Sequence, residues 1–357
     1  MGPAETAIDE TRIEAFGQRL VGVLDGASTA LQCSIGHRTG LFDAMAELPS
    51  STSQEVARAA ALDERYVREW LGGMVVAGIV DFDPATAQYR LPPEHAALLI
   101  RASGPDNIAF FTQYVALMAG VEDELVRVFR EGGGIPYSSY SSFQELQREE
   151  TARVYDAALV DAILPLAPGL VNDLTLGVSV VDVGCGGGHA VNVMARAFPN
   201  SRFLGVDISA EGITLGRAEA AAWGLRNATF EVADATELSG PWDVVTAFDT
   251  VHDQAQPTKL LRAVENALAD DGVFLMGDIA FSSNLEDNIG NPFASTIFAF
   301  SLFHCMTVSL AYGGEGLGTA WGTQKALSML AEAGFTSVET AQIDSDPINL
   351  YYVARKA

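Results

Sequence analysis

The sequence has few of the residues that mark nucleic-acid-binding, disulfide-stabilised or metal-binding proteins. Of its 357 residues only 21 are Lys or Arg, three of them Lys, against 46 Asp and Glu, for a formal net charge of −25. Because such a surface repels phosphate backbones and anionic lipids, we expect no nucleic-acid and no membrane partner. Three scattered cysteines, Cys33, Cys185 and Cys305, are too few for a disulfide framework or a cysteine-rich zinc site. They fit a reducing cytoplasm, and we predict no metal site.

The sequence also lacks a segment that reads as a signal peptide or a membrane anchor. Its first residues include acids and no cationic start before an apolar run. No Asp, Glu, Lys or Arg occurs between Asp287 and Glu315, and the centre of that stretch is about as long as a spanning helix. However, it contains several Ser and Thr, lacks flanking Lys and Arg, and lies between two apparent strands. We therefore expect a soluble protein.

Two domains and a connector fit the length and the change of pattern along the chain. In residues 1–104, a helix from Ser53 and a second one with an apolar stripe over 64–76 precede two short strands, 78–82 and 88–91. This order is typical of a winged-helix-like domain. Residues 105–170 read as a helical connector and substrate lid, interrupted by the glycine-rich segment 132–140.

From residue 171 to 357 strands alternate with helices, which predicts an α/β domain with a doubly wound, Rossmann-like parallel sheet. The predicted strands are 178–183, 202–207, 228–233, 243–249, 272–280, 335–343 and 348–354. The short link 344–347 permits a hairpin, so the last strand is expected to be antiparallel and at the sheet edge.

The strongest local signal is a glycine-rich turn between the first of these strands and a helix. Asp182 precedes glycines at 184, 186 and 188. Glycines there let a ligand approach the backbone near a positive helix N-terminus. A dinucleotide-binding fold would have Gly or Ala at the position of His189, because helix and strand pack closely there. The loop therefore differs from the dinucleotide-binding pattern.

Two acidic residues follow at the ends of the next strands. Asp207 comes nineteen residues after Gly188, where a carboxylate can accept hydrogen bonds from a ribose diol. Asp234 and Ala235 follow the third strand, where an adenine edge could be recognised.

These features together resemble the class I S-adenosylmethionine-dependent methyltransferases over residues 178–357, including Ala333-Gly334-Phe335 before the final strand pair. The resemblance implies S-adenosylmethionine as cofactor and S-adenosylhomocysteine as product. It implies that the loop lies against the methionine part, that Asp182 reaches its amino group, and that Asp207 binds the ribose hydroxyls. Asp234 would then contact the adenine amino group. The predicted cofactor-binding residues are Asp182, Gly184, Cys185, Gly186, Gly188, Asp207, Ile208, Asp234, Ala235, Phe248 and Asp249.

The N-terminal half of the sequence indicates a narrower group within this family. The segments 36–43, 65–71 and 89–95 resemble a winged-helix-containing bacterial subgroup typified by an uncharacterised mycobacterial methyltransferase. Residues 28–100 hold five Arg and nine Asp or Glu, which argues against a DNA-reading role. In the small-molecule O-methyltransferases that the layout resembles, such a domain makes dimer contacts and helps to wall the partner's active site. We therefore expect a homodimer.

His252, just past the fourth strand, is the candidate general base. The carboxyl ends of parallel strands line the ligand crevice, and histidine titrates in the range that a phenol or alcohol acceptor requires. Plant-type and polyketide O-methyltransferases resemble this stretch, with His-Asp after the same strand and the His as base; their usual next Trp is Gln254 here. Asp278, at the end of the fifth strand, could orient the imidazole. Alternatively, His252 contacts substrate without taking a proton, or has a structural role.

The insertion 285–322 is expected to cap the substrate pocket. Its helix is too apolar on every side for exposure, so it should pack against the N-terminal helices, a partner subunit or a ligand. The predicted pocket residues are Tyr137, Tyr140, Phe300, His304 and Trp321. His189 is expected to contact the cofactor or cap the turn, and His37 to pack in a core.

The sequence thus predicts a cytoplasmic methyltransferase that acts on a small hydrophobic or aromatic molecule, with oxygen as the preferred acceptor atom. Nitrogen or carbon acceptors, and a non-methylating use of the same cofactor, are alternatives within the fold. A carboxylate acceptor would need no base. A ligand-sensing winged-helix regulator is the alternative from another class.

Overall fold

The computed structural model describes residues 8–356, which divide into two compact units with the boundary between Ala116 and Leu117. The first seven residues, on which the signal-peptide expectation partly rests, lie outside the described residues.

The N-terminal unit is a set of helices followed by a small hairpin. Its elements are α1 (Glu10–Arg38), α2 (Leu41–Ala46), α3 (Ser53–Ala60), α4 (Glu64–Val76), β1 (Asp81–Asp83), β2 (Gln88–Arg90) and α5 (Pro93–Ala96). A capping box between Thr52 and Glu55 begins α3, and the Asp63 side chain caps α4. The apolar stripe of α4 is buried, as its spacing predicts, and His37 is 1% exposed. The winged-helix prediction is confirmed.

The second unit joins connector helices to a helix-flanked sheet, and α6 (Thr112–Ala119) lies across the boundary. The remaining helices are α7 (Glu122–Glu131), α8 (Phe143–Ala158), α9 (Leu170–Leu176), α10 (His189–Ala197), α11 (Ala210–Ala222), α12 (Pro257–Ala267), α13 (Ala294–Phe300), α14 (Met306–Ala311) and α15 (Gly322–Ala333). A π-helical turn, Leu159–Ile163, continues α8, and another, Ser301–Cys305, joins α13 to α14.

Seven strands form the sheet, in the order β5-β4-β3-β6-β7-β9-β8. They are β3 (Ser179–Val183), β4 (Arg202–Asp207), β5 (Ala228–Val232), β6 (Trp242–Phe248), β7 (Leu268–Ile279), β8 (Ser337–Ile343) and β9 (Asp346–Arg355). The pairs among β3 to β7 are parallel, with Asp182 opposite both Gly205 of β4 and Thr246 of β6. The predicted doubly wound α/β fold is confirmed.

One detail of the sheet differs from the prediction. The last strand, β9, is antiparallel, but it lies between β7 and β8 and leaves β8 at the edge. The reason is burial, because most of β9 is buried whereas β8 is largely exposed along its length. An edge position therefore suits the more polar strand.

The chain order changes direction at β3, whose neighbours β4 and β6 lead to opposite halves of the sheet. At such a switch point the carboxyl ends of the strands open a crevice for ligands. The ends of β3, β4 and β6 carry Asp182, Asp207 and Phe248. The fold thus brings these candidate residues to one edge.

The insertion between β7 and α15 is only partly buried. Thr307, Val308 and Ser309 are buried, whereas Phe293 and Phe298 are exposed by 64% and 40% in the single chain, so packing of these two residues against a partner subunit or a ligand stays a prediction. Among the described residues, the run Ala294–Ala311 is long and apolar enough to cross a membrane by length and composition, and a bent pair, Phe143–Leu166 with Leu170–Leu176, passes if counted as one span. The core helix of a soluble protein passes the same test. The absence of a membrane partner stays a prediction.

Candidate active site

The glycine loop closes the carboxyl end of β3 against β4. The amides of Gly184 and Cys185 both donate to the carbonyl of Val206, at 2.8 and 3.1 Å. The amide of Gly188 donates to the carbonyl of Cys185 at 2.8 Å, and α10 begins at the next residue. The loop therefore has a fixed shape without any ligand.

Asp207 holds the outer part of this loop. Its Oδ2 accepts a hydrogen bond from the Gly186 amide at 2.8 Å, and its Oδ1 accepts one from the Ser209 amide at 2.7 Å. Burial raises the pKa of Asp207, although both amide hydrogen bonds oppose that effect. Each carboxylate oxygen keeps a second lone pair, so Asp207 can brace the loop and still accept hydrogen bonds from a ligand.

Asp182 lies beneath the loop at the end of β3. Its Oδ1 accepts a hydrogen bond from the Thr246 hydroxyl at 2.6 Å, and the residue is 3% exposed. Burial raises the pKa of Asp182 to about 7. A cationic amino group nearby would favour its charged form.

The loop leaves open backbone where a nucleoside could approach. Gly186 has φ +51°, and a Cβ built on it would meet no atom within 4 Å, whereas a Cβ on Gly184 would lie 1.9 Å from the Thr250 hydroxyl oxygen. Ile208, directly after Asp207, is 55% exposed. The Asp234 side chain accepts from the Thr236 amide at 2.9 Å and so begins a 3-10 turn that contains Ala235. These residues fit a nucleoside with its ribose at Asp207.

A histidine–carboxylate pair lies beyond the end of β6. His252 Nδ1 is 2.9 Å from Asp278 Oδ1, and the two residues are 5% and 0% exposed. Burial of the ring disfavours the imidazolium, but the Asp278 carboxylate and then Cys305 more than offset it and raise the pKa of His252 well above its usual value. When Nδ1 carries the hydrogen that Asp278 accepts, Nε2 presents a lone pair, which is the arrangement of a general base.

Two further donors fix Asp278. Its Oδ1 accepts hydrogen bonds from the Ile279 amide at 2.8 Å and from the Trp321 indole at 3.1 Å. The structure thus places Trp321, predicted to line the substrate pocket, behind the histidine–carboxylate pair, where it is 6% exposed. No sequence pattern links positions 278 and 321.

Phe248 ends β6, and Asp249 follows it. The Phe248 ring packs on Tyr155, with centroids 5.2 Å apart. Asp249 has φ +51°, its Oδ2 accepts from the Asn349 amide group at 3.2 Å, and its buried Oδ1 has no hydrogen-bond partner among residues 8–356. Burial, and then the carboxylates of Asp278 and Asp346, raise the pKa of Asp249 well above its usual value.

Aromatic residues of the lid and the insertion meet around His304. Its ring stacks on Phe143 at 4.0 Å and meets Tyr140 edge-on at 4.7 Å, with Tyr137 at 5.7 Å. Tyr137 is also 6.2 Å from Tyr312. The structure therefore brings together three predicted pocket residues, Tyr137, Tyr140 and His304, while Phe300 lies half-buried at the end of α13.

The structure adds Asp253, Phe143 and Tyr312 to the predicted site residues. The Tyr137 hydroxyl donates to Asp253 Oδ2 at 2.6 Å, and burial raises the pKa of Asp253 to about 6. Its position beside His252 in the His-Asp pair was the signal that could have identified it. Phe143 and Tyr312 have no such motif.

The His189 side chain does not cap the turn, and its expected contact with the cofactor stays a prediction. Its Nδ1 lies 3.0 Å from Glu219 Oε1 and its Nε2 lies 3.2 Å from Asp156 Oδ1. The side chain therefore joins α10 to α11 and α8. A histidine at the start of the loop helix gave no sign of these distant carboxylates.

Comparisons with known proteins agree with this geometry. Residues 27–101 match an Rv2258c-like winged HTH domain, and residues 174–334 match a methyltransferase domain. Residues 174–334 thus form a methyltransferase domain, for which S-adenosylmethionine is the cofactor.

Two curated relatives match parts of this methyltransferase. Trans-aconitate 2-methyltransferase of Deinococcus radiodurans is 42% identical over 66 residues, 18% of this chain and 24% of the relative. Ubiquinone biosynthesis O-methyltransferase of Caulobacter sp. strain K31 is 35% identical over 107 residues, 29% of this chain and 41% of the relative. The matched segment thus spans less than half of either relative.

Solved structures match over nearly the whole length. A Nostoc punctiforme protein described as an O-methyltransferase has a TM-score of 0.72 at 21% identity, over 95% of this chain and 98% of its own. Human N-acetylserotonin methyltransferase, in complex with S-adenosylmethionine, has a TM-score of 0.66 at 17% identity, over 100% of both chains. At these identities the likeness establishes the fold.

Proposed function

We propose that the protein transfers a methyl group from S-adenosylmethionine to an oxygen of a small, hydrophobic or aromatic molecule, with His252 as general base. The observation that carries the proposal is the contact between His252 and the buried Asp278 at the carboxyl edge of the sheet. His252 follows β6, the neighbour of the strand that ends in the glycine loop, and Asp278 lies on β7, the next strand across the sheet. Relatives described as O-methyltransferases support oxygen as the acceptor atom.

We assign the cofactor-binding residues as follows. The loop Gly184–Gly188 and Asp182 would lie against the methionine part, and the two oxygens of Asp207 would accept from the ribose hydroxyls. Ile208, Asp234 and Ala235 would border the adenine. Phe248 and Asp249 would border the cofactor at the end of β6. Support comes from the open backbone at Gly186 and the exposed Ile208 beside Asp207.

The cofactor supplies a methyl group on a sulfonium, so the reaction is an in-line displacement in which much of the catalysis is positioning and exclusion of water. His252 Nε2 would take the acceptor hydroxyl proton as the oxygen–carbon bond forms and the carbon–sulfur bond of the sulfonium breaks, which would leave S-adenosylhomocysteine. Asp278 stabilises the imidazolium that results, and it holds the ring in the tautomer that leaves Nε2 free of hydrogen. Trp321 and the Ile279 amide keep Asp278 in place.

The acceptor pocket is proposed to lie among Tyr137, Tyr140, Phe300, His304 and Trp321, with Trp321 acting through Asp278. The aromatic rings that meet around His304 support a flat, apolar substrate.

A carboxylate acceptor is the second candidate. The name of the Deinococcus relative points to a tricarboxylic acid as its substrate. A carboxylate is already deprotonated at neutral pH and needs no base. Under this candidate His252 would contact the substrate without accepting a proton.

The test is methyl transfer by the wild type and His252→Ala, with His95→Ala as a control outside the site. Both would be incubated with methyl-labelled S-adenosylmethionine and a panel of one- and two-ring phenols, amines and carboxylic acids. We expect label in phenols, and turnover more than about 100-fold lower in His252→Ala with cofactor affinity unchanged. Label in amines alone would overturn the oxygen assignment. Near-normal transfer to carboxylic acids by His252→Ala would favour the second candidate.

We also propose that the protein is a homodimer that works in the cytoplasm. One face of α1 exposes large apolar side chains at helical spacing: Ile13, Phe16, Leu20 and Leu24, each more than half exposed. A second copy of the chain is the occupant proposed for this stripe. Light scattering should give twice the 37.8 kDa chain mass for the wild type and for Gln18→Glu, off the stripe, and a monomer for Phe16→Glu with Leu20→Glu. A monomeric wild type would contradict the proposal.

A further inference from the structure

His304 carries a buried ring nitrogen, Nε2, that has no hydrogen-bond partner among residues 8–356. The residue is only 6% exposed. A buried polar atom without a partner destabilises the free protein. Its presence therefore indicates a role other than stability. The ring is held in place by stacking on Phe143 and by the edge-on contact with Tyr140.

The other ring nitrogen indicates which atom carries the hydrogen. His304 Nδ1 lies 3.6 Å from Cys305 Sγ. The Thr319 hydroxyl donates to that same sulfur at 2.8 Å, and the thiol also hydrogen-bonds the His252 ring. In the arrangement in which the S–H donates to His304, Nδ1 is the acceptor and Nε2 carries the hydrogen. Burial lowers the pKa of His304 to about 3, which keeps the ring neutral at physiological pH.

The tyrosine hydroxyls around His304 already have partners. Tyr137 donates to Asp253, and Tyr140 donates to the carbonyl of Phe303 at 2.6 Å. His304 therefore differs from the two tyrosines that surround it. Among residues 8–356, its buried Nε2 has no hydrogen-bond partner.

His304 also lies near the proposed base. A charge on His252 disfavours a charge on His304, which puts the two rings within electrostatic range of each other. Tyr137, next to His304, reaches the carboxylate of Asp253, the residue after His252. A single aromatic molecule could therefore present one oxygen to His252 and a second one to His304.

We propose that His304 Nε2 donates a hydrogen bond to a neutral acceptor oxygen of the substrate and thereby selects an uncharged aromatic hydroxy-carbonyl compound. A neutral donor in an aromatic wall matches a carbonyl oxygen on a flat ring, because the carbonyl replaces the missing partner without bringing a charge into the pocket. This inference rests on the proposed function, since it assigns the part of the substrate that is not methylated.

The binding test uses matched probes that differ in one group. The three hydroxyacetophenones (2′, 3′ and 4′) carry a carbonyl, and the three ethylphenols of the same substitution carry a methylene in its place. Titration into the full chain saturated with S-adenosylhomocysteine should show at least one acetyl isomer binding about tenfold more tightly than its ethyl counterpart. The preferred isomer also reports the spacing between the two oxygens.

Variants assign that preference to His304. His304→Phe keeps a flat ring but removes the donor, so we expect it to bind the acetyl and ethyl compounds equally. His304→Gln retains an N–H donor, so it should recover part of the difference in affinity. Tyr66→Phe, at a side chain that is 80% exposed and not part of the proposed pocket, is the control and should keep the preference. Because His304→Phe also removes an unpaired buried nitrogen, its melting temperature without substrate should rise by about 2 °C.

Each contrary result overturns the inference. Equal binding of acetyl and ethyl compounds by the wild type excludes the carbonyl contact, and binding of none of the six excludes the substrate class. A lower melting temperature for His304→Phe would give His304 a structural role. If the wild type binds S-adenosylmethionine and methylates the ethylphenols with the same efficiency as the acetyl compounds, this inference fails and the proposed function stands. If the wild type does not bind the cofactor, the proposed function itself fails.

Discussion

The two halves of the candidate site differ in how their central carboxylates are paired. In the cofactor half, the carboxylates of Asp182 and Asp207 accept hydrogen bonds from Thr246 and from backbone amides. The acceptor half is built from segments near residues 140, 250, 278 and 305. Within residues 8–356, its two carboxylates, Asp253 and Asp278, each keep a buried oxygen without a partner, and so does His304 at Nε2, whereas the cofactor half has such atoms at Asn192 Oδ1 and Asp249 Oδ1.

This difference follows from what each half must recognise. A single cofactor needs one preformed binding site, which a short continuous segment can provide. An acceptor pocket is completed only when its substrate supplies the missing hydrogen-bond partners. We therefore expect substitutions in the cofactor half to affect cofactor affinity and stability together, and substitutions in the acceptor half to affect turnover.

The largest effect is expected for Asp207→Ala. It removes the acceptor of the Gly186 and Ser209 amides and the proposed ribose ligand, so affinity for S-adenosylmethionine should fall about 100-fold. Calorimetric titration of the wild type and the variant with S-adenosylmethionine and S-adenosylhomocysteine measures this. Glu211→Ala, on the first turn of α11, is the control and should bind normally. Unchanged affinity in Asp207→Ala would show that the loop does not depend on its carboxylate.

Alanine substitutions at two glycines of the loop should affect different properties, stability at one position and cofactor binding at the other. A Cβ at Gly188, where φ is +70°, would lie 2.3 Å from the Phe230 ring, whereas one at Gly186 would meet nothing. Both alanines strain the backbone, but only Gly188→Ala must also displace a buried ring, so it should cost about 2 kcal/mol more in urea unfolding. Gly186→Ala should instead weaken cofactor binding. Equal free energies of unfolding would mean that Phe230 moves away freely.

The same contrast explains how far sequence reasoning reached. The loop, Asp207 and the strands could be predicted because strand periodicity and glycine spacing are local and continuous. His252 and Asp278 could be proposed because both follow strands. The contacts of Trp321 with Asp278 and of Tyr137 with Asp253 join residues 43 and 116 positions apart, and only tertiary packing creates them. The edge position expected for β9 was wrong for a related reason: the hairpin with β8 forms, but tertiary packing places the largely buried β9 against β7 and leaves β8 at the edge.

A smaller effect is expected for Asp278→Asn, which tests the acceptor half by its pH dependence. A base acts only when neutral, so the wild-type kcat/KM should rise with pH through the pKa of His252, which Asp278 keeps above its usual value. Without the carboxylate, burial lowers that pKa, so the rise should move to lower pH by about one unit or more. Turnover should also fall about tenfold as the imidazolium loses its partner.

The control for that profile is Asp253→Asn, which leaves Asp278 in place. Its rise should stay nearer to that of the wild type, because the carboxylate bonded to the His252 ring is Asp278. A profile unchanged in Asp278→Asn would exclude His252 as the titrating base.

The smallest effect is expected for Trp321→Phe, and it tests whether the acceptor half depends on a residue that never meets the substrate. The indole donates one of three hydrogen bonds to Asp278 Oδ1, so its loss leaves the His252 contact and the Ile279 amide in place. We expect kcat to fall about threefold, KM to stay the same, and the acid limb of kcat/KM to shift, because Asp278 becomes less firmly held. Trp242→Phe is the matched control, since its indole donates to Ser239 away from the pair. A raised KM with unchanged kcat would instead return Trp321 to the pocket wall that the sequence predicted.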